Sequence, residues 1–396
     1  MTGPHYDAII LGGGTMGSAA AWDLAKRGLR TVVFEQFGHV HDQGSHGGKT
    51  RIIRHAYAEG EAYVPLVQRA DELWRHLEAF SGQRLLVRTG GLELAAPGYR
   101  HAQAARLSAQ FHGLPHEWLS PAEARRRWPA FQIPEDWEVL FSPQAGYLLT
   151  EPSLRAMASA ARSLGAEIRD HAAVTGWGAT DSGVWVTVND QTVSGDLLIV
   201  TAGAWAASLL AELGLTLTPL RKVLWWLGVD RADRFAPDRF PVFITDSPHG
   251  EIYGFPVDDH AGLKIANHAG GEPTTPTAVD RTIRMGEEAD VVGLAAELLP
   301  GVSDRVLESA VCLYTMTPDG HFIVDRHPRW PRVVIGAGFS GHGFKFATAI
   351  GETLGSLAVD PTSKPIPHFA IDRFNPTIMP GMASASSNDR GRRPAH

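Results

Sequence analysis

Cysteine is almost missing from this chain: Cys312 is the single example in 396 residues. One thiol excludes an internal disulfide, a thiolate metal cluster and a CxxC redox pair. Basic charge is not in excess either. The formal net charge is −7, so the basic footprint of a nucleic-acid-binding protein is absent. No apolar run approaches membrane-span length. The N-terminus has no charged segment followed by a long apolar one, and the run 8–11 is too short for a secretory leader. One cysteine and no leader lead to the expectation of a reducing cytoplasm. Repeats are absent, and low complexity is confined to the Ser/Gly/Arg/Pro-rich end, 376–396, expected to be disordered.

What is present suits a soluble globular protein: 44% of residues are hydrophobic and 20% charged. The length is enough for two domains. Tyr6–Leu11 has the pattern of a short buried strand, followed by glycines, an Ala-rich helix from Thr15 to about Arg27, and a second strand over 31–35. Residues 61–80 have helical spacing of apolar positions. Strands are expected at 90–96 and 183–190, and helices at 121–128 and from 151 on. The apolar run 196–205 and the strand 332–338 carry the continuous hydrophobicity of a parallel sheet covered on both faces. Between 216 and 315, VLWWLGV, PVFIT, EIYGFP and GLKIANH look like strands of a mixed or antiparallel second domain.

Gly12-x-Gly14-x-x-Gly17 lies between the first strand and the helix. Gly12 permits the tight turn, Gly14 admits a pyrophosphate, and Gly17 allows close helix–strand packing. The helix N-terminus then offers free N–H groups to phosphate. Glu35 ends the next strand, where an acid accepts from ribose hydroxyls. An adenine dinucleotide is expected; the fingerprint alone does not separate FAD from NAD. In the polar stretch 45–60, Arg51 and Arg54 are spaced one helical turn apart, as a pair that could grip a carboxylate. His39, His41, His46 and His55 lack a further ligand at usable spacing, so no metal is expected. Lys264 and His268 lie in an apolar strand, where a charge is costly unless paired or functional. Lone cysteines are most often small hydrophobes. Cys312, however, sits with Tyr314 just upstream of GAGFSGHGFKF, whose glycines leave room for a flat ring and whose Lys345 is flanked by phenylalanines.

These pieces, in this order, resemble the monomeric sarcosine oxidase family and its N-methyltryptophan oxidase relatives, from about Tyr6 to Ala370. The most specific stretches are GSHGGKTRIIRHAYAEGEAYVPL, IYGFP with GLKIANH, and AVCLYTMTPDGHFIVD with GFSGHGFKF. The resemblance implies an α/β, two-domain fold: a Rossmann-like FAD-binding domain of discontinuous segments and a mixed or antiparallel substrate domain. The segments expected are 1–85, 146–215 and 320–372 for FAD, with 86–145 and 216–319 for substrate. It implies FAD joined to Cys312 through the flavin 8α-methyl group. It implies oxidation of a secondary amino acid such as sarcosine at the C–N bond, to an imine that hydrolyses, with O2 reduced to H2O2. Arg54 and Lys345 match the residues holding the substrate carboxylate. Lys264 matches the lysine that promotes oxygen reduction, and Arg51 the basic residue near the flavin ring. Tyr253, His268, Tyr314 and Ile244 match the pocket lining. Expected FAD contacts further include Thr15, Met16, Gln36, Ser45, Thr50, Val174, Ala202, Gly203 and Trp205. Towards the C-terminus they include Gly338, Ser340, Gly341, His342, Gly343, Phe344 and Lys345.

The chain departs from the family's usual SHHGDTR at Gly47 and Lys49, and from its usual residues at Ile244, Asn267 and Gly320. Alternatives within the resemblance are an N-methyltryptophan or cyclic imino acid (pipecolate or proline) oxidase, and a same-fold flavin dehydrogenase with another acceptor. A monomer is expected, with small-molecule substrate and O2 as partners, and neither nucleic acid nor membrane.

Overall fold

A computed structural model describes residues 4–258 and 262–374; the 376–396 tail, expected to be disordered, lies outside the described residues. The fold is mixed α/β with two domains. Among the described residues the strands form sheets of eight, nine and three members.

The eight-stranded sheet is centred on His5–Leu11. That strand runs parallel to Thr31–Phe34 on one side and to Gln191–Val200 on the other. Glu167–Arg169 and Val333–Ala337 continue the parallel order outward, and Ile323–Arg326 closes one edge in the antiparallel sense. A hairpin of Val174–Ala179 and Val184–Val188 extends from the start of Gln191–Val200. Thr31–Phe34 and Val333–Ala337 are buried at every position, as parallel strands covered on both faces should be. Ala8 and Ile10 pack with the helices Thr15–Lys26, Thr150–Ser163 and Ala347–Val359. Ile9 and Leu11 face the hairpin side.

Two glycines set the closest approaches. Gly12 has φ +92°, a conformation that L side chains rarely adopt. A Cβ on Gly17 would sit 1.8 Å from the Gly12 carbonyl oxygen. Gly17 is therefore a packing residue that seats the first helix on the first strand.

The nine-stranded sheet has Thr218–Val229 as its hub, paired with Leu263–Asn267, Glu272–Pro273 and Val302–Met316. Gly250–Gly254, Val242–Ser247, Gly91–Ala95, Glu138–Ser142 and Glu117–Leu119 follow in order. Pairing is antiparallel except between Val242–Ser247 and Gly91–Ala95. The three-stranded sheet joins Thr50–Ile53 to Gly146–Leu149, which also pairs with Leu86–Arg88.

That last sheet corrects one expectation. Arg51 and Arg54 are not a turn apart on a helix. Residues 50–53 form a strand, because Thr50, Ile52 and Ile53 are β-branched and find a partner edge in Gly146–Leu149.

Gly17→Ala is expected to destabilise the protein by about 1–3 kcal/mol through overpacking. Denaturant unfolding checks this; no measurable loss would contradict the tight helix–strand seat.

Candidate functional site

A cavity of about 340 Å³ opens where the first helix meets the parallel strands. Gly12, Gly14, Thr15 and Met16 line its floor, and Glu35 and Gln36 its side. The helix from Thr15 has no side-chain cap at Gly14, so its first N–H groups are available to an anion. Glu35 accepts from Gly13 N (2.8 Å) and Phe37 N (2.9 Å). Ser45, Arg51, Val174, Ala202, Gly203 and Trp205 line the cavity further along. Gly338, Gly341, Gly343, Phe344 and Tyr314 complete it at the other end.

Six residues expected at the cofactor do not line this cavity; two of them, His342 and Lys345, line a smaller neighbouring cavity instead. Gly17 packs behind the floor. Thr50 offers its carbonyl and hydroxyl oxygens to Lys264 Nζ (2.7 and 3.0 Å). Ser340 braces the glycine turn, donating to Gly338 O and accepting from Thr317 N. Cys312 is buried on Val302–Met316, two residues from Tyr314 on the same strand face. It stands directly across from Lys222, and burial raises its thiol pKa.

The cavity fits an adenine dinucleotide on its own chemistry. It joins a glycine cradle, an uncapped helix end and an acid. His46, not assigned to a cofactor in the sequence reading, also lines it. Its Nε2 is buried without a hydrogen-bond partner among the described residues, and burial holds the ring neutral, at about 3. A bound group with a donor there would satisfy that atom.

A second cavity of about 60 Å³ adjoins the first. Arg51, Tyr314, Gly341 and Phe344 line both. The smaller one collects Arg54, Ile244, Tyr253, His268, His342 and Lys345. Residues from the nine-stranded sheet, the three-stranded sheet and the turn that follows Val333–Ala337 thus converge. Lys264 lies beside this junction, 3% exposed, with Nζ donating to Gly48 O (2.5 Å) as well as to Thr50. Burial, with Arg51 adding, drives its pKa well below that of an ordinary lysine. Arg51 donates to the carbonyls of Ser45, Gly47 and Thr50 (2.8, 2.6 and 2.8 Å), which fixes the loop between the cavities. A Cβ at Gly47 would meet only Asp42 O, at 3.9 Å, so the missing side chain leaves space. Lys49 instead pairs with Glu308 and lies over the Trp226 ring.

Arg54 is 3% exposed and Lys345 is 7% exposed. Burial works against the Arg54 charge, but Glu59 and Glu93 hold its pKa above the ordinary value. Its Nη2 donates to both Glu59 oxygens (2.7 and 2.8 Å), and Nε lies 3.5 Å from Glu93. Lys345 Nζ donates to His342 O (2.9 Å) and Tyr57 Oη (3.2 Å). Burial and the neighbouring Arg54 push its pKa down to about 7. His268 accepts or donates to Tyr314 Oη at 3.3 Å, and burial pushes its pKa to about 4. It is therefore a neutral ring at pH 7.

Four acidic or basic groups here escaped the sequence reading: Glu59, Glu93, His101 and Glu251. His101 bonds Glu93 through Nε2; burial opposes its charge, but Glu93 raises its pKa. Burial raises the Glu251 pKa as well. A signal existed for two of them. Glu59 follows Arg54 by one short loop, and Glu251 precedes Tyr253 by two positions in an alternating strand. Among the described residues no group of three His, Cys, Asp or Glu is placed to hold a metal ion, and no helix is long and apolar enough to cross a membrane.

The family described as FAD dependent oxidoreductase matches residues 7–357. Monomeric sarcosine oxidase from Bacillus sp. (strain B-0618) is 37% identical over 375 residues, spanning 93% of this chain and 96% of that protein. N-methyl-L-tryptophan oxidase from Yersinia pestis (strain Pestoides F) is 38% identical over 373 residues, 93% of this chain and 99% of that protein. Among solved structures, the open form of NikD, an amino acid oxidase of nikkomycin biosynthesis, superposes with TM-score 0.81 at 24% identity, covering 92% of this chain and 97% of NikD. Glycine oxidase from Geobacillus kaustophilus gives 0.77 at 23% identity, covering 93% and 99%. These two likenesses show the fold.

Lys345 is charged below its pKa and neutral above it. Acetate binding is accordingly expected to weaken as pH rises through about 7, and Lys345→Met to flatten that profile. Calorimetric titration checks it; an equally steep profile in the variant would contradict the assignment.

Proposed function

The chain belongs to the FAD dependent oxidoreductase family, and we propose that it oxidises small secondary amino acids, with sarcosine as the reference substrate, using O2 and releasing H2O2. A flavin-dependent amino acid oxidase is what its relatives support; the secondary amine, the O2 acceptor and the residue roles are our reading. One observation carries it. Two buried cations, Arg54 and Lys345, face a small cavity that shares Arg51, Tyr314, Gly341 and Phe344 with the dinucleotide cavity. Arg54 is already held by Glu59 and Glu93, whereas Lys345 bonds only a carbonyl and a phenol, so a ligand carboxylate reaching Lys345 beside Arg54 supplies the partner that buried charge needs.

Size supports a small substrate. At roughly 10–15 Å³ per water, a cavity of about 60 Å³ holds a few water-sized groups, comparable to the few heavy atoms of sarcosine. FAD bound in the larger cavity would take a hydride equivalent from the carbon on nitrogen and deliver electrons to O2.

The protein's own work is then geometry and field. Arg54 and Lys345 orient the carboxylate, so that the N-substituent points toward the shared wall at Tyr314 and Gly341. That orientation supplies much of the acceleration. Neutral His268 and the Tyr253 and Tyr314 hydroxyls hold the amine end without adding positive charge, which favours a neutral amine. Burial disfavours charge on Lys264 in the protein alone. Negative charge developing on oxygen nearby restores it, and the lysine stabilises that charge. The imine leaves and hydrolyses to aldehyde and amino acid.

The same reading makes the protein a cytoplasmic monomer in which 1–85, 146–215 and 320–372 hold FAD and 86–145 and 216–319 hold substrate. It also assigns Cys312 a thioether to the cofactor. Its support is the residue's place on the Tyr314 face of the strand, near the cations Arg51, Lys264 and Lys222.

An H2O2-coupled screen tests the reading. Sarcosine or another N-substituted amino acid is expected to outpace its primary counterpart, and silence across the whole panel would contradict the proposal. Lys264→Met is expected to slow reoxidation by O2 by about 10²-fold or more while flavin reduction changes far less; equal effects on the two half-reactions would remove that role. Acid-precipitated protein is expected to stay yellow. A colourless pellet under a yellow supernatant would return Cys312 to the standing of a buried hydrophobe.

A further inference from the structure

We propose that Glu251 sets the substrate class of this site: the secondary amino acid taken carries, at the end remote from its carboxylate, an ammonium group that donates to Glu251. The inference rests on the amino acid oxidase reading and specifies its substrate.

Glu251 stands two residues before Tyr253 on the strand Gly250–Gly254. Side chains at that spacing leave the same face, and both line the smaller cavity. Along this face Tyr253 pairs with Ile244, while Glu251 pairs with Asp246. The Glu251 carbonyl accepts from His268 N at 2.6 Å. Arg54 and Lys345 supply the cavity's cationic part, and Glu251 adds a separate anionic point on its wall. Its side chain is 29% exposed, which puts it at the rim.

The other carboxylates are already engaged. Both Glu59 oxygens accept from Arg54. Glu93 is bonded to His101 and lies near Arg54. The Glu251 carboxylate accepts no hydrogen bond from the described residues, and its ion-pair neighbour, His101 Nδ1, is 3.7 Å away. At the rim this carboxylate is open to water in the free protein, and a bound ammonium replaces that water with a charge-assisted hydrogen bond.

The sign of the local field selects the donor. Glu59, Asp246 and Glu251 all bear on this rim, against His101 and Arg54 as the facing cations, and Arg54 is already held by Glu59. A cation is therefore preferred to a hydroxyl, and a second carboxylate is repelled. The enclosed part of the cavity takes the amino-acid head, and a longer arm leaves across the rim, past Glu251.

The test uses the FAD-loaded enzyme and two substrates that differ at the remote end, α-N-methyl-lysine and α-N-methyl-norleucine, with sarcosine as reference. The parent enzyme is expected to favour the lysine derivative in kcat/KM by about tenfold or more, the scale of one charged hydrogen bond. Glu251→Gln is expected to erase most of that ratio, and Glu251→Asp, which keeps the charge, to retain more of it than Gln. A parent enzyme without the preference overturns the proposal even if no variant folds, and so does a ratio that survives in Glu251→Gln. Turnover of sarcosine without the preference overturns this assignment alone. H2O2 from none of the three substrates overturns the oxidase reading, and this assignment with it.

Discussion

Burying positive charge is the constraint on which the site depends. Arg54, Lys264 and Lys345 lie nearly out of water, where an unpaired cation is costly. The chain answers each differently. Arg54 is given two carboxylates. Lys264 is given the oxygens of Gly48 and Thr50. Lys345 receives only a carbonyl and a phenol, and burial with the neighbouring Arg54 brings its pKa down to about 7. The amount of compensation left undone marks where an anionic ligand is most welcome. The scaffold serves that end: the loop 44–50 is tied down by Arg51 and Lys264, and the Gly338–Gly343 turn is braced by Ser340.

The two cavities share one wall because two sheets meet there. Val302–Met316 belongs to the nine-stranded sheet, yet its Leu313, Tyr314 and Thr315 line the dinucleotide cavity. A Cβ on Gly341 would come within 2.4 Å of the Tyr314 ring. Only a glycine lets the turn lie that close to the tyrosine. Substrate and cofactor chemistry are brought together by this contact between strand and turn.

Local signals in the sequence carried the parts of the fold that local physics decides. The glycine fingerprint, the helix behind it and the continuous apolar strands all sit where composition and spacing put them. The order of the nine-stranded sheet was not legible, because it rests on pairings between residues far apart in the chain, such as Gly91–Ala95 with Val242–Ser247. The helical spacing of Arg51 and Arg54 misled, because tertiary pairing of a β-branched segment overrides a three-residue interval. The cations were conspicuous as charges in apolar runs. Their carboxylate partners were not, since an acid in an alternating strand looks like a solvent-facing residue until the fold shows what it faces. Glu93 and Glu251 have that character, while Glu59 sits in a polar turn.

The account's central claim is that the buried cations seat a secondary amino acid against the cofactor in the adjoining cavity. Anaerobic titration of the FAD-loaded protein with sarcosine tests this most directly. The claim predicts saturable loss of the visible flavin band without oxygen, and its full return on admitting O2. A flavin spectrum that sarcosine and its N-methyl analogues leave untouched under anaerobic conditions would contradict it.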